Sequence, residues 1–123
     1  MRGSIRKGGV YYVSDRSLTL PPNDKRNYHP KRPVIVLSND ANNEQADWPF
    51  VYVVPTSTAT TLRTEYCVKI AQGFGNLPSK CWARTICAQP FLKEELGDYL
   101  GQLPPQVMGL IEENLLGYIG LVD

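Results

Sequence analysis

The chain has 123 residues, of which 42% are hydrophobic and 20% are charged, and this composition predicts one ordinary globular domain over residues 1–123. No apolar run approaches the roughly 18 residues of a membrane-spanning helix. The basic N-terminus, MRGSIRKGGV, lacks the apolar segment of a signal peptide. We therefore expect a cytoplasmic protein that does not enter a membrane.

Charge is distributed unevenly along the chain, although the formal net charge is only +1. Residues 1–32 carry eight Lys and Arg against two Asp, whereas residues 33–123 carry five against ten Asp and Glu. This asymmetry indicates a basic face that attracts a polyanion. A solvated basic loop that binds nothing is the alternative interpretation of the same pattern.

Five segments rich in β-branched and aromatic residues predict short strands, because each is bounded by Gly, Pro, Asn or Ser. In chain order they are GGVYYVS (8–14), PVIVLS (33–38), PFVYVVP (49–55), TEYCVKI (64–70) and KCWARTICA (80–88). The second and third are continuous apolar runs, which predicts burial on both faces. We expect a small β-barrel in which one face of these strands lines the interior and the other meets a helix or a second subunit.

The segment LPPQVMGLIEENLLGYIGL (103–121) predicts a C-terminal helix that packs on the barrel. Its apolar stripe at helical spacing comprises Val107, Leu110, Ile111, Leu115 and Tyr118. Before it, PFLKEEL (90–96) predicts one or two short helical turns, because Gly97 and Gly101 limit their length.

Three further apolar residues of this helix, Met108, Leu116 and Ile119, lie off the main stripe. On so small a domain they would remain in water unless a partner covered them. We therefore predict a homodimer whose interface uses an apolar face of the barrel and part of the C-terminal helix.

An 18-residue connection, Asp15 to Arg32, joins the first two predicted strands. Connections of this length without regular structure are usually functional or disordered. Its cluster NDKRNYHPKR mixes basic and aromatic side chains, which suits phosphate neutralisation combined with base stacking on single-stranded nucleic acid. The candidate RNA-binding residues here are Lys25, Arg26, Tyr28 and Lys31, beside His29 and Arg32.

The order and spacing of the blocks GGVYYVS, KRPVIVLSND, VVPTST and CAQP, followed by an amphipathic helix, resemble the PemK/MazF family of ribonuclease toxins from bacterial toxin–antitoxin modules. The resemblance covers nearly the whole chain. It implies an SH3-like small barrel, a homodimer, and metal-independent cleavage of single-stranded RNA with no cofactor. It also implies a partner antitoxin that occludes the RNA groove.

The chemistry that this resemblance implies needs positive charge at the scissile phosphate. Attack of a 2′-OH on the adjacent phosphate requires a base, an acid for the 5′-oxygen, and a cation for the phosphorane. The arginine of the family's RPV block is its catalytic arginine, and that position is Arg32 here. An arginine that covers the barrel mouth or pairs with Glu65 is the structural alternative.

A second catalytic group is implied in PTSTATT, where a hydroxyl residue two positions after the VVP proline assists at the phosphate. That residue is Ser57, and Thr56 or Thr58 is the alternative donor. Hydroxyl-rich turns also cap backbone groups, which is the structural interpretation of any one of them. His29 is the only histidine and the natural acid or base near neutral pH, although a lone loop histidine is more often simply exposed.

The block TICAQP departs from the family pattern. Some members place an acid immediately before the glutamine and an arginine two residues earlier, where this chain has Ala88 and Ile86. Neither can move a proton. Gln89 and Arg84 remain as candidate RNA-binding residues, and Arg84 would share a face with Ile86 on a regular strand.

Two other functions remain open from the sequence. One is a barrel that acts by binding a protein, as the related gyrase poisons do, and the other is a decayed member that binds RNA or antitoxin without cleavage. The odd count of three cysteines, Cys67, Cys81 and Cys87, with no CxxC motif predicts buried small hydrophobic residues rather than a disulfide framework or a zinc site.

Overall fold

The computed structural model describes residues 4–21, 27–61 and 63–122. These residues contain seven strands and two α-helices, joined by loops and short 3-10 turns. The strands are β1 (Gly9–Val13), β2 (Arg32–Val36), β3 (Phe50–Ser57), β4 (Val68–Ile70), β5 (Cys81–Ala83), β6 (Gln89–Leu92) and β7 (Tyr99–Gln102). The helices are α1 (Asp40–Glu44) and α2 (Pro105–Tyr118). Within these ranges neither helix combines the length and hydropathy that a membrane span needs.

All strand pairs are antiparallel, in the order β4-β5-β3-β2-β1-β7, and β6 also pairs with β3. The eight-residue strand β3 of this half-barrel pairs with two different strands along its length. Residues 50–53 pair with β6, whereas Thr56 and Ser57 pair with β5. Pro55 lies at the change of partner, where a residue without an N–H leaves no ladder donor unpaired. Its carbonyl accepts a hydrogen bond from the Arg84 N–H at 2.8 Å. The mainly β fold with a C-terminal helix is confirmed.

Strand β2 is buried on both faces, as its apolar run predicts. Ile35 contributes to one core cluster, while Val34 and Val36 contribute to the other. This alternation follows from the two-residue period of a strand. The first cluster contains Met108 and Ile111 of α2.

Helix α2 covers the face of the sheet that forms the first cluster, as predicted. On the other face, Leu18 and Leu20 of the β1–β2 connection are buried in the second cluster, so a loop also covers these strands. Strand β3 is less buried than predicted, since Phe50 and Tyr52 are exposed on one face of its first half. The connection therefore serves the core as well as the surface.

Helix α2 begins with Pro105 at its first position, as expected, but its buried stripe is rotated from the predicted one. Met108 and Ile111 are buried, with Val107 and Leu115 packed beside them. Leu110 and Tyr118 were predicted to face the barrel and are instead 53% and 50% exposed. The prediction that Met108 belongs to a subunit interface is wrong, because its side chain fills the core.

The second half of the chain contains more and shorter elements than predicted. Only Val68–Ile70 of segment 64–70 is a strand, and segment 80–88 divides into β5 and a 3-10 turn at Thr85–Cys87. The predicted helical turns at 90–96 consist of strand β6 followed by one 3-10 turn at Lys93–Glu95. Strand β7 and helix α1 were not predicted.

Gly101 explains why β7 is hard to recognise from sequence. A Cβ on this residue would lie 2.8 Å from the backbone of Gly75, so the strand approaches the turn at 73–77 more closely than any side chain permits. In the sequence Gly101 was interpreted as limiting a short helical turn. In the structure it lies where two backbone segments contact each other.

Candidate active site

Six of the predicted site residues line one cavity of about 260 Å³. They come from the start of β2 and the residues before it, and from the end of β3: His29, Lys31, Arg32, Thr56, Ser57 and Thr58. The pairing of β2 with β3 brings these two segments together, since Val34 lies opposite Pro55. The rest of the wall comes from β1, β2, β5 and the segment before β5: Tyr12, Pro33, Cys81, Leu77, Pro78 and Ser79.

Arg32 forms a bidentate ion pair with Asp15 at this cavity. Its Nε donates to Oδ1 of Asp15 at 2.7 Å, and its Nη2 donates to Oδ2 at 3.3 Å. The Asp15 side chain has no exposed surface and the Arg32 side chain is 12% exposed. The partner is therefore Asp15, and the predicted alternative of a pair with Glu65 is wrong.

A third hydrogen bond fixes the plane of the guanidinium. Nη1 of Arg32 donates to the backbone carbonyl of Thr56 at 2.7 Å. Because an arginine carries five N–H groups, these three bonds leave one on each terminal nitrogen. These two remaining N–H groups can donate to phosphate oxygens.

Asp15 also positions the residues that precede β2. Its Oδ2 accepts a hydrogen bond from the backbone N–H of His29 at 2.9 Å. One buried carboxylate therefore holds both the arginine and the loop that carries the histidine. The His29 residue is exposed and lines the cavity.

Lys31 and Tyr12 form a second cationic contact at the wall of the cavity. The Lys31 Nζ lies 4.0 Å from the centroid of the Tyr12 ring. A cation over an aromatic face is attracted by the ring quadrupole, so the ammonium group is held near the cavity.

The three hydroxyl residues of β3 and its end differ in what they are free to do. Thr56 is buried and its Oγ1 donates to the Pro33 carbonyl at 2.8 Å. Ser57 is half-buried, and its Oγ accepts from the Ala59 N–H at 3.1 Å. That bond uses a lone pair and leaves the Ser57 hydroxyl hydrogen available, whereas Thr56 has already donated its own. Thr58 is exposed.

The remaining predicted residues are not part of the described cavity wall. Lys25 and Arg26 lie outside the described residues. Tyr28 is exposed, and the Arg16 guanidinium carbon lies 4.3 Å from its ring centroid.

Gln89 fixes the β1–β2 connection to the barrel. Its Oε1 accepts from the Thr19 N–H at 3.0 Å, and its Nε2 donates to the carbonyls of Thr19 at 3.0 Å and Cys87 at 2.9 Å. These hydrogen bonds give Gln89 a structural role. Ala88, at the position that departs from the family pattern, packs against the first core cluster.

Arg84 does not share a strand face with Ile86, because β5 ends at Ala83 and Arg84 begins a 3-10 turn. Its residue is buried. The expectation from a regular strand is therefore wrong at this position, and the reason is the turn that interrupts residues 80–88.

Asp15 is the site residue that sequence reasoning missed, since it entered only as a counter-charge in a basic segment. The signal was an isolated acid directly after a buried strand and before a basic cluster. Such an acid has several potential partners, and only the fold decides which arginine it meets.

The cysteines agree in part with their predicted role. Cys81 is buried in the first cluster, and this burial raises its pKa to about 11. Cys67 and Cys87 are half-buried, and burial also raises the pKa of Cys87. All three thiols are free. In the part of the chain that the structure describes, no group of three or more His, Cys, Asp or Glu side chains is placed to hold a metal ion.

Comparison with solved structures finds the same fold in several bacterial proteins. An endoribonuclease from a mycobacterial species, in complex with its cognate antitoxin, is 23% identical with a TM-score of 0.70, over 99% of each chain. The Mycobacterium tuberculosis toxin MazF-mt6 is 19% identical with a TM-score of 0.70, over 94% of this chain and 99% of that one. A MazE–MazF structure from Deinococcus radiodurans is 13% identical with a TM-score of 0.71, over 97% of this chain and 98% of that one.

A family model provides the stronger assignment, because identities this low establish the fold alone. Comparison with curated protein sequences finds no match. The model for the PemK-like, MazF-like toxin of type II toxin–antitoxin systems matches residues 7–118, which is most of the chain. That range includes Asp15, Arg32 and Ser57. The chain therefore belongs to the PemK-like, MazF-like family of type II toxin–antitoxin toxins.

Proposed function

We propose that this protein is the toxin of a bacterial type II toxin–antitoxin module and arrests growth by cutting single-stranded RNA without a metal ion. The observation that carries the proposal is the guanidinium of Arg32, held at the cavity by Asp15 and the Thr56 carbonyl with two terminal N–H groups left over. Family membership supports the toxin role. Mycobacterial proteins of the same fold that are described as endoribonucleases support the reaction class.

In the proposed reaction the 2′-oxygen attacks the adjacent phosphorus while the bond to the 5′-oxygen breaks. One proton leaves the 2′-OH and another reaches the departing 5′-oxygen, so the products are a 2′,3′-cyclic phosphate and a 5′-hydroxyl. The phosphorane carries more negative charge than the diester, and Arg32 is the cation that would stabilise it. Because the guanidinium is already oriented, little reorganisation is needed at the transition state.

His29 and Ser57 are the other proposed catalytic groups. The His29 side chain lines the cavity on a loop whose backbone is anchored to Asp15, so it would act as base or acid. The Ser57 hydroxyl would donate to a non-bridging phosphate oxygen. Lys31 would bind a neighbouring phosphate, together with the basic residues Lys25 and Arg26.

One observation favours a member that binds RNA without cutting it. The buried carboxylate of Asp15 partly neutralises Arg32, and a neutralised cation stabilises added charge less strongly. Position 88 has Ala88 in place of an acid, which also favours RNA binding without cleavage. A cleavage assay separates the two functions.

The test is incubation of the purified protein with mixed-sequence single-stranded RNA in EDTA, followed by mapping of the new ends. We expect cleavage to persist and to leave 2′,3′-cyclic phosphates. A strict requirement for magnesium would overturn the metal-independent mechanism. Binding without cleavage would favour the decayed function, and an Arg32→Ala preparation purified in parallel controls for contaminating ribonuclease.

We further propose that the protein is a cytoplasmic homodimer whose RNA groove is blocked by an antitoxin. Exposed apolar residues at the end of α2 support the dimer: Leu116, Tyr118 and Ile119, followed by Leu121 and Val122. The basic character of residues 1–32 suits an acidic, partly disordered antitoxin segment that folds on binding. RNA and antitoxin should then compete directly.

A further inference from the structure

A row of side chains extends from the candidate active site across two neighbouring strands. Trp82 of β5 is paired with Ser57 of β3 on one side and with Lys69 of β4 on the other. Directly paired residues of antiparallel strands point to the same face of the sheet. Ser57 lines the cavity, and its partner Trp82 lies one strand spacing, about 5 Å, from it.

The Trp82 ring carries an arginine over its face. The Arg63 guanidinium carbon lies 4.6 Å from the ring centroid, and Arg63 is exposed whereas Trp82 is half-buried. The indole Nε1 is buried and has no hydrogen-bond partner among the residues that the structure describes. The indole is thus placed by contacts of its ring rather than by its N–H.

We propose that Arg63 and Trp82 form a nucleobase-stacking subsite for single-stranded RNA, next to the scissile phosphate. A planar guanidinium stacked on an aromatic ring offers its other face to a base, and such stacking is a common way of holding unpaired nucleotides. Lys69, exposed at the end of the row, would contact the backbone of the same strand. This subsite rests on the proposed RNA cleavage and specifies where the neighbouring base is held.

The geometry favours a base over a phosphate as the ligand of Arg63. A guanidinium that binds a phosphate directs its N–H edges at the oxygens, whereas one over a ring directs its plane outward. A stacked base contributes affinity that depends little on salt, but a phosphate contact adds roughly 0.7 to the salt slope on single strands. The two ligands are therefore distinguishable by titration.

The chain contains two tryptophans, which provide a site-specific probe and its control. Trp48→Phe leaves Trp82 as the only indole fluorophore, and Trp82→Phe leaves Trp48. Trp48 lies edge-on to Phe50, at the opposite end of β3 from Ser57. Eight residues of strand separate these ends by roughly 23 Å, so Trp48 should not sense a ligand at the active site.

The experiment titrates each single-tryptophan variant with short mixed-sequence RNA whose 2′-hydroxyls are methylated, so that it cannot be cleaved by the proposed reaction. Emission is recorded together with the anisotropy of a dye on the RNA, which reports binding independently. We expect Trp82 emission to be quenched in step with binding and Trp48 emission to stay constant. Binding with unchanged Trp82 emission would overturn the subsite and leave the proposed cleavage intact.

Two substitutions of Arg63 test its role without disturbing the core, because this residue is exposed. Arg63→Gln should weaken RNA affinity roughly fivefold or more, as loss of a stacking partner does, with an unchanged salt slope. Arg63→Lys keeps the charge and loses the plane, so it should resemble Arg63→Gln. If Arg63→Gln binds RNA with full affinity, Arg63 only covers the Trp82 ring and does not hold a base. Failure of all variants and the wild type to bind RNA would instead overturn the proposed function itself.

Discussion

Asp15 and Arg32 are joined by two hydrogen bonds, at 2.7 and 3.3 Å, although they are 17 positions apart in the chain. The carboxylate is fully buried, so the pair is a structural element as well as a candidate catalytic one. Removal of either partner from a buried ion pair leaves an uncompensated charge, which is more costly than the pair is favourable. Stability and catalysis must therefore be measured separately at this site.

The first prediction concerns Asp15 as a positioning residue. Asp15→Asn keeps an oxygen that can accept from the His29 backbone but removes the charge that orients Arg32. We expect kcat for RNA cleavage to fall about tenfold or more while KM changes little, because the lost effect is on transition-state geometry. A purely structural role would lower the unfolding temperature without this separation of kcat from KM.

The control for that variant is Asp40→Asn, the same chemical change at an exposed pair. Asp40 contacts Arg6 at 3.4 Å and accepts a hydrogen bond from the Lys7 backbone, which lowers the Asp40 pKa. Because the pair is exposed, the change should alter the free energy of unfolding by no more than about 0.5 kcal/mol. Cleavage should be unaffected.

The second prediction concerns Arg32 itself. Arg32→Ala should lower the cleavage rate on the order of a hundredfold or more, because it removes the cation at the phosphorane. It also leaves the buried carboxylate of Asp15 without its arginine, which should destabilise the fold by roughly 3–5 kcal/mol. The double variant Asp15→Asn/Arg32→Ala removes that charge and should regain stability without regaining activity. Near-normal cleavage by either variant would assign the residue to structure alone.

The third prediction concerns salt. If the basic connection holds RNA phosphates, log affinity should fall with log salt by roughly 0.7 for each phosphate contact on a single strand. Lys25→Ala/Arg26→Ala/Lys31→Ala should flatten that slope and weaken antitoxin binding in parallel. An unchanged salt dependence would mean that the connection is only solvated, and loss of RNA binding alone would argue against a shared groove.

The fourth prediction concerns subunit assembly. Ile119 is 55% exposed at the end of α2, so Ile119→Glu should yield a 13.8 kDa species by sedimentation at concentrations where the wild type is a dimer. Met108→Ala provides the contrast, since Met108 is buried. It should lower the free energy of unfolding by about 2–5 kcal/mol and leave association unchanged. A monomeric wild-type protein at micromolar concentration would contradict the dimer.

The fifth prediction concerns thiol reactivity. Burial raises the Cys81 pKa to about 11, so at pH 8 roughly one thiol in a thousand is ionised. Cys81 should therefore react with a disulfide reagent far more slowly in the native protein than in denaturant, and faster as the pH rises. Peptide mapping of labelled protein follows Cys81 separately from Cys67 and Cys87. Equal labelling of Cys81 in native and unfolded protein would show that its thiol is accessible.

Much of this protein could be predicted from local sequence, because the deciding interactions are local. Strands β1 to β3 have β-branched runs with clear boundaries, and α2 has a proline start and a helical period. The catalytic candidates Arg32 and Ser57 were implied by the family resemblance, and His29 was chosen as the only histidine. The pairing of β2 with β3 brings their segments to one cavity.

The rest depended on contacts between distant segments. Strand β6 exists because β3 offers it a partner, and β7 because Gly101 permits close approach to Gly75. The rotation of the α2 stripe was set by which side chains the barrel could accommodate. The partner of Arg32 was likewise decided by the fold, because charge alone does not distinguish Asp15 from Glu65. Composition and period thus determined the elements, while the choice among equally charged or equally apolar partners required the tertiary structure, since only burial gives those contacts different energies.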